Sequence, residues 1–150
     1  RTPSVLGELV IVTCAFVLGR VLVGALGGLD PALWPGPGTL PAPAIVAIVI
    51  VVPAALALAG IHQIVTITVF LVLFSQVPTG VADLILFQSA LVSWSIASMI
   101  GLSAISTVAA ASFFNVRLER VAFGANLTFG AAIAVLVTAI LSILNAALAG

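Results

Sequence analysis

Charged side chains are rare along the whole sequence, which holds four basic and four acidic residues in 150 positions. Hydrophobic residues make up 63% of the chain and charged residues 5%, whereas water-soluble domains are about half apolar and about a quarter charged. A domain with water on all sides is not built from such a composition. The sequence therefore predicts an all-α polytopic membrane protein, and the mean hydropathy of +1.45 favours the same interpretation.

Several functional classes lack support in the sequence. A net charge of zero gives no basic surface for nucleic acid. Cys14 is the single cysteine, so neither an internal disulfide nor a thiolate metal cluster is expected. His62 is the single histidine, no acidic partner lies near it in the sequence, and no glycine-rich nucleotide-binding motif occurs. The chain is therefore expected to be no enzyme and to need no resident cofactor.

Apolar stretches divide the chain into four parts. Residues 5–43 contain a first span, Val5–Leu26, and an external loop rich in proline and glycine. Residues 44–77 contain two segments of about 16 residues each, and a spanning helix needs about 20. The stretch 81–114 and a last span over 123–147 complete the chain. The whole is expected to form one transmembrane domain.

The two short segments, Ala44–Ala59 and His62–Val77, are separated only by Gly60 and Ile61. Two helices too short to cross, joined by a tight polar turn, favour a re-entrant hairpin that opens to the external side with its tip inside the membrane. The alternative is a pair of short, tilted spans with the turn at the membrane surface. Re-entrant backbone is tolerated only where protein or a water-filled cavity covers it.

The stretch 81–114 has an awkward length for a membrane helix. As one helix it would be about 50 Å long, and as two full crossings with a turn it is too short. Its middle carries Gly101 among four hydroxyl residues, which are Ser98, Ser103, Ser106 and Thr107. The sequence therefore predicts a broken helix, with half-helices near Ala82–Ile100 and Thr107–Phe114.

The basic residues predict the orientation. Arg117 and Arg120 lie in a short loop, which the positive-inside rule assigns to the cytoplasm. The loop that contains Trp34 is then external. The expected location is the plasma membrane of a bacterium, the inner membrane, with the lipid bilayer as the first partner.

Polar residues that fall at membrane depth form two clusters, and they are the candidate site for substrate or ion. Unwound backbone and hydroxyl groups supply carbonyls for a cation and N–H groups for an anion, and half-helix dipoles strengthen both. The two clusters are expected to meet near mid-membrane in one small-solute site. Their members are Gly60, His62, Gln63 and Thr66 in the hairpin turn, and Gly101, Ser103, Ser106 and Thr107 in the helix break.

Three sequence stretches, GIHQIVTITVFLVLF, WSIASMIGLSAIST and NVRLERVAFGANLTFG, carry a resemblance to a known family. Together they resemble the C-terminal half of ion transporter superfamily proteins, of the divalent anion/sodium symporter (dicarboxylate and citrate) type. The resemblance implies two inverted repeats, each with a re-entrant hairpin and a broken helix whose polar tips bind substrate and Na⁺. The sequence has GIHQ where the family has a Ser-Asn-Thr tip, and a histidine there suits H⁺ coupling equally well, because histidine exchanges protons near neutral pH.

The resemblance implies a secondary active transporter, present here as a half or fragment, that moves a small organic anion with Na⁺ or H⁺. Its expected partner is the missing N-terminal half or a second copy in a homo-oligomer. Two other interpretations remain open. One is a non-transporting membrane subunit that packs against larger proteins through small residues such as Gly19 and Ala131. The other is a channel that uses the hairpin as a filter.

Overall fold

The computed structural model describes residues 40–75 and 78–149, together with ten helical residues between Leu9 and Ala25. The predicted external loop therefore lies almost wholly outside the described residues. All regular structure within the described ranges is helical, in agreement with the predicted all-α class. The helices are α1 (Ala42–Leu58), α2 (Gln63–Ser75), α3 (Asp83–Ile100), α4 (Ile105–Phe113), α5 (Leu118–Ala122) and α6 (Ala125–Ala149).

Among the described residues, two helical stretches are long and apolar enough to cross a membrane. They are Asp83–Phe113 and Leu118–Leu148, and each contains a short interruption, at residues 101–104 and 123–124. The helices α1 and α2 are also apolar but shorter. Most of the surface of α6 is uncovered, and Val135 and Ile143 are about 70% exposed.

The turn between α1 and α2 is built around Gly60. This residue has a φ of +87°, a left-handed conformation that glycine adopts without steric cost. The N–H of Gly60 donates to the carbonyl of Ala57, and the N–H of Ile61 donates to the carbonyl of Leu56, both at 3.0 Å. These two bonds form a Schellman motif, which ends a helix and turns the chain sharply. Residues 59–62 therefore suffice to reverse the chain between α1 and α2.

Helix α1 buries one face in the bundle and runs parallel to α3. Ile45, Val46 and Ile50 have essentially no exposed surface, whereas Val51 and Val52 on the other face are exposed. The Ser93 hydroxyl donates to the carbonyl of Ile50 at 2.9 Å, so the middle of α3 is bonded to the middle of α1. Farther along both helices, the N–H of Leu102 donates to the carbonyl of Ala57. The two contacts advance in the same direction, and the helices are therefore parallel.

Helix α6 runs antiparallel to α3 and is bonded to both of its ends. At the beginning of α6, the Asn126 amide donates to the carbonyl of Met99 at 3.4 Å. Near the end of α6, Asn145 accepts from the N–H of Ala82 at 2.8 Å and donates to the carbonyl of Gly80 at 3.0 Å. Asn145 therefore fixes the segment that leads into α3, and the N-cap residue Ala82 makes no side-chain cap hydrogen bond of its own.

The four longer helices form an up-down-up-down bundle, since α1 and α3 run one way and α2 and α6 the other. The turn 59–62, the break 101–104 and the start of α6 lie together at one end, which we name the polar end. The start of α1, residues 78–82 and Asn145 lie at the opposite end, which we name the far end. Helices α4 and α5 follow the break at the polar end and connect α3 to the start of α6.

The hydrogen bond between α3 and α1 gives a direct test of this packing. Replacement of Ser93 by alanine should lower the free energy of unfolding by about 1 kcal/mol, because the bond joins two helices and both groups are buried. Ser89 is the matched control, since it is equally buried but donates to Ile85 of its own helix. Ser89→Ala should change stability by less than about 0.5 kcal/mol. Denaturant titrations in detergent micelles measure both, and equal losses would contradict the assigned contact.

Candidate functional site

Helix α3 ends at Ile100, and α4 begins at Ile105 after four residues of turn. The interruption falls inside the interval in which the sequence predicts a break. Gly101 lies against the end of α1, where an added Cβ would be 2.5 Å from the carbonyl oxygen of Ala97 and 3.3 Å from the Cβ of Ala57. Only a residue without a side chain fits there unless the backbone moves. The helix break is therefore in direct contact with the α1–α2 hairpin.

The last carbonyls of α3 are bonded by side chains from the segments that follow. The hydroxyl of Ser106 donates to the carbonyl of Ser98. The hydroxyl of Thr107 lies 3.1 Å from the same oxygen and 3.3 Å from the carbonyl of Met99. Helix carbonyls at a C-terminus lack partners within the helix, so these donors take the place of the missing turn. The first turn of α4 is held beside the last turn of α3 in this way.

Gln63 connects the hairpin turn to the helix break. It opens α2, is 7% exposed, and its Nε2 lies 3.5 Å from the hydroxyl oxygen of Ser98. Ser98 therefore contacts Gln63 through its side chain and the first turn of α4 through its carbonyl. Gln63 of the predicted hairpin cluster is thus linked through Ser98 to Ser106 and Thr107 of the predicted break cluster.

Two buried oxygen atoms at this junction have no hydrogen-bond partner among the residues that the structure describes. They are Oε1 of Gln63 and the hydroxyl oxygen of Ser103. Rotation of the Gln63 amide by 180° would only exchange its two polar atoms and leave the NH₂ group without a partner instead. An unpaired buried polar group costs about 1–3 kcal/mol. Such groups mark a place where a ligand, an ion or water gains hydrogen bonds.

A cavity of about 260 Å³ opens beside Ser98 and the first turn of α4, and neither Gln63 nor Ser103 is among its lining residues. Its polar lining comes from Ser98, Ser106, Thr107 and Asn126, and its apolar lining from Met99, Ala110 and Val121. No charged side chain is among these residues. The volume suits a small solute with a few hydrogen-bonding groups, although binding pockets for drug-sized ligands start at about 300 Å³.

The remaining predicted residues of the hairpin turn have local structural roles. His62 accepts a hydrogen bond at Nδ1 from the N–H of Ile64 at 3.3 Å, and so caps the start of α2. The hydroxyl of Thr66 donates to the carbonyl of Gln63, at 3.1 Å, inside the same helix. Gly60 supplies the left-handed turn described above. Of this cluster, only Gln63 reaches the helix break with a hydrogen bond of its own.

Ser98 and Asn126 belong to the junction but are absent from the predicted site. Ser98 lies one helical turn before Gly101, and its central position depends on how α4 folds back, which no local pattern shows. Asn126 had a usable signal, because an amide inside an apolar stretch needs a partner. Its partner, the carbonyl of Met99, could not be named from the sequence.

The junction lies level with the start of α6 and not with its middle. Asn126 bonds to the last turn of α3, and Asn145, about 19 residues or 28 Å farther along, bonds to the first. The prediction of a meeting point near mid-membrane therefore differs from the structure if α6 is a spanning helix. The reason is that α1 and α3, with 17 and 18 residues, extend along most of the same length.

Ionisable groups are scarce around the junction. No group of three or more His, Cys, Asp or Glu side chains occurs within the described part of the chain. The charged residues nearest in sequence are Arg117, Glu119 and Arg120, which precede Val121 of the cavity wall. No protein-family model, no curated protein and no solved structure matches this chain.

Proposed function

We propose that the polar end of the bundle binds a small solute together with a coupling ion, and that the chain is one half of a secondary active transporter for a small organic anion. The observation that carries this proposal is the junction at Ser98, where the hairpin turn meets the helix break. The Oε1 atom of Gln63 is buried and has no partner among the described residues, so it can accept a hydrogen bond from a solute or coordinate an ion. The class of substrate comes from the resemblance noted above.

The chemistry of the junction suits charged solutes of both signs. The oxygen atoms of Gln63 and Ser103 are uncharged ligands of the kind that coordinate Na⁺ in transporters with broken helices. The start of α4 has no side-chain cap, so its N–H groups and helix dipole favour an anion such as a carboxylate. Na⁺ is therefore the proposed coupling ion, and H⁺ is the alternative that His62 supports.

Among the described residues, the cavity beside Ser98 is open on one side. A second half related by an inverted repeat, or a second copy of the chain, would cover that opening. A transporter with inverted repeats binds its substrate between the two halves. We therefore expect the 150 residues alone to bind solute weakly and to transport none.

We further propose that the polar end faces the cytoplasm. Arg117 and Arg120 lie in the segment that connects α4 to α6 at this end of the bundle. The positive-inside rule assigns such basic residues to the cytoplasmic side. If α6 crosses the bilayer, the turn 59–62 then lies near the cytoplasmic surface. This geometry favours two short spans over a re-entrant hairpin. A bacterial inner membrane is the proposed location.

A second candidate is a membrane subunit that packs against larger proteins. The observation in its favour is the wide apolar surface of α6, where Phe129 and Leu136 are both more than half exposed. Gly130 already packs against Ile96, so close helix contact is a feature of α6. This candidate has no use for the unpaired oxygens of the junction.

Uptake measurements test the transporter proposal. The full-length protein would be reconstituted in vesicles, and uptake of labelled succinate or citrate would be followed under an imposed Na⁺ or H⁺ gradient. Gln63→Leu should lower the rate at least tenfold, because it removes the unpaired oxygen and the link to Ser98. That loss corresponds to about 1.4 kcal/mol or more.

The matched control is Gln88→Leu, the same chemical change at an exposed position of α3. It should leave uptake unchanged. Native uptake rates in a folded Gln63→Leu protein would show that the junction is not the site. A full-length protein that transports neither anion under either gradient would favour the subunit candidate.

A further inference from the structure

Helix α4 exposes its apolar side rather than covering it. Ile105, Val108, Ala109, Ser112 and Phe113 are all exposed, and they follow the i, i+3, i+4, i+7, i+8 spacing of a single helix face. The opposite side, with Thr107 and Ala111, is buried against the bundle. This mainly apolar face, which we name the α4 stripe, has no partner among the described residues.

Two aromatic rings extend the α4 stripe beyond the end of the helix. Phe113 and Phe114 are 85% and 69% exposed, and their rings meet edge to face with centroids 5.2 Å apart. Asn115 follows with a φ of +51°, and its N–H and that of Val116 bond to the carbonyls of Ser112 and Ala111. This is a second Schellman motif, and it turns the chain immediately after the rings. The rings are thus fixed at an outer corner of the molecule.

Basic residues follow directly after this corner. Arg117 precedes α5 and Arg120 lies within it, and the N–H of Arg120 donates to the carbonyl of Arg117 at 3.0 Å, so the two residues belong to one turn of the chain. Glu119 lies 3.5 Å from Arg117, but both side chains are more than half exposed, so the pair is weak. Residues 105–120 contain two arginines and one glutamate, and their net charge is therefore +1.

We propose that the α4 stripe, the two phenylalanine rings and the two arginines form a binding site for an anionic phospholipid. The rings and the α4 stripe contact the acyl chains, and Arg117 and Arg120 bind the phosphate of the headgroup. An amphipathic contact of this kind combines apolar insertion with attraction to negative lipid. The site is separate from the solute junction and depends only on the proposed membrane location.

Charge and position favour lipid over a second protein chain as the occupant. The basic pair lies at the end of the bundle where α6 begins, and α6, like the α4 stripe, exposes a largely apolar surface. Rings at such a boundary and arginines just beyond it match the two chemical layers of a lipid leaflet. Within residues 40–75 and 78–149 the other charged residue is Asp83, which lies at the far end.

Fluorescence quenching by brominated lipids tests the site. In the whole chain with Cys14 replaced by serine, Ser112→Cys would carry a bimane label on the exposed α4 stripe. The chain would be placed in phosphatidylcholine vesicles with a small fraction of brominated phosphatidylglycerol or brominated phosphatidylcholine. The brominated phosphatidylglycerol should associate about fivefold more strongly per arginine, which corresponds to about 1 kcal/mol each.

Changing Arg117 and Arg120 to glutamine together should make the two brominated lipids quench equally. Glu119→Gln is the matched control, and the preference for phosphatidylglycerol should stay or rise, because a competing negative charge is lost. Equal quenching in the chain with both arginines, or a preference that survives their loss, would overturn the proposal. Quenching by neither lipid, with energy transfer between labelled copies at high dilution, would assign the α4 stripe to a second copy and would overturn it as well.

Discussion

A cysteine at position 61 should be modified by a bulky, membrane-impermeant maleimide from the cytoplasmic side and hardly at all from the external side. Ile61 is 41% exposed in the turn between α1 and α2, at the polar end of the bundle. Because the start of α6 is level with this turn, an α6 that crosses about 30 Å of hydrocarbon leaves the turn near one surface. Thiols react with maleimides only where water reaches them and they can ionise.

Two other exposed positions serve as matched controls in a chain whose Cys14 is replaced by serine. A cysteine at Leu40, at the far end, should react from the external side alone. A cysteine at Val52, midway along α1, should react from neither side, since lipid surrounds it in the proposed arrangement. Inverted and right-side-out vesicles separate these outcomes. A position 61 that is labelled from outside, or from neither side, would support a re-entrant hairpin.

Replacement of Asn145 by leucine should lower the free energy of unfolding by about 2 kcal/mol, the largest loss expected from any single hydrogen-bonding side chain here. Asn145 is 4% exposed and bonds both to the N–H of Ala82 and to the carbonyl of Gly80. Leucine fills a similar volume but removes both bonds and leaves the partly buried N–H of Ala82 without its partner, whereas the carbonyl of the exposed Gly80 can bond to water. A buried polar group left unpaired costs about 1–3 kcal/mol. Titration with a denaturing detergent measures the loss.

Ser142 gives a control within one turn of the same helix. Its hydroxyl donates to the carbonyl of Thr138, so Ser142→Ala removes a bond inside α6 and none between helices. The expected change is below about 0.5 kcal/mol. If Asn145→Leu lowered the free energy of unfolding no more than Ser142→Ala, the bonds from Asn145 to Gly80 and Ala82 would not contribute to stability as described.

The helix ends near Gly60 and Gly101 lie close to where the sequence predicts them. Gly60 and Gly101 interrupt apolar stretches, and each marks a helix end in the structure within two residues of the predicted boundary. These ends are local features, because a left-handed turn or a close backbone contact requires glycine wherever the chain continues. The helix lengths followed from the same residues.

The height of each helix in the bundle could not be predicted in this way. It is determined by bonds between distant residues, such as Ser93 with Ile50 and Asn126 with Met99. One hydropathy pattern is compatible with many pairings of apolar helices, because apolar contacts do not determine how far one helix is shifted along its neighbour. The level of the candidate site relative to α6 could therefore not be predicted from the sequence.

His62 illustrates a second limit of sequence reasoning. A single histidine in an apolar chain points to ion coupling, and the alternative of a side chain bonded to the nearby backbone has equal chemical support. In the structure its Nδ1 accepts from the N–H of Ile64, which is the capping role. The neighbouring Gln63 instead reaches the helix break, because the first residue of α2 faces α3.

The two asparagines of α6 also restrict the number of residues that this helix can have between them. Asn126 and Asn145 are bonded to opposite ends of α3, so the number of residues between them is matched to the length of that helix. One inserted residue would turn Asn145 by about 100° and shift it by about 1.5 Å, and only one of the two amides could then keep its partner. An insertion of four residues would return Asn145 to nearly the same side of α6 but would move it about 6 Å along the helix axis. Related chains that preserve this bundle should therefore tolerate many apolar exchanges along α6 and no change in its residue count.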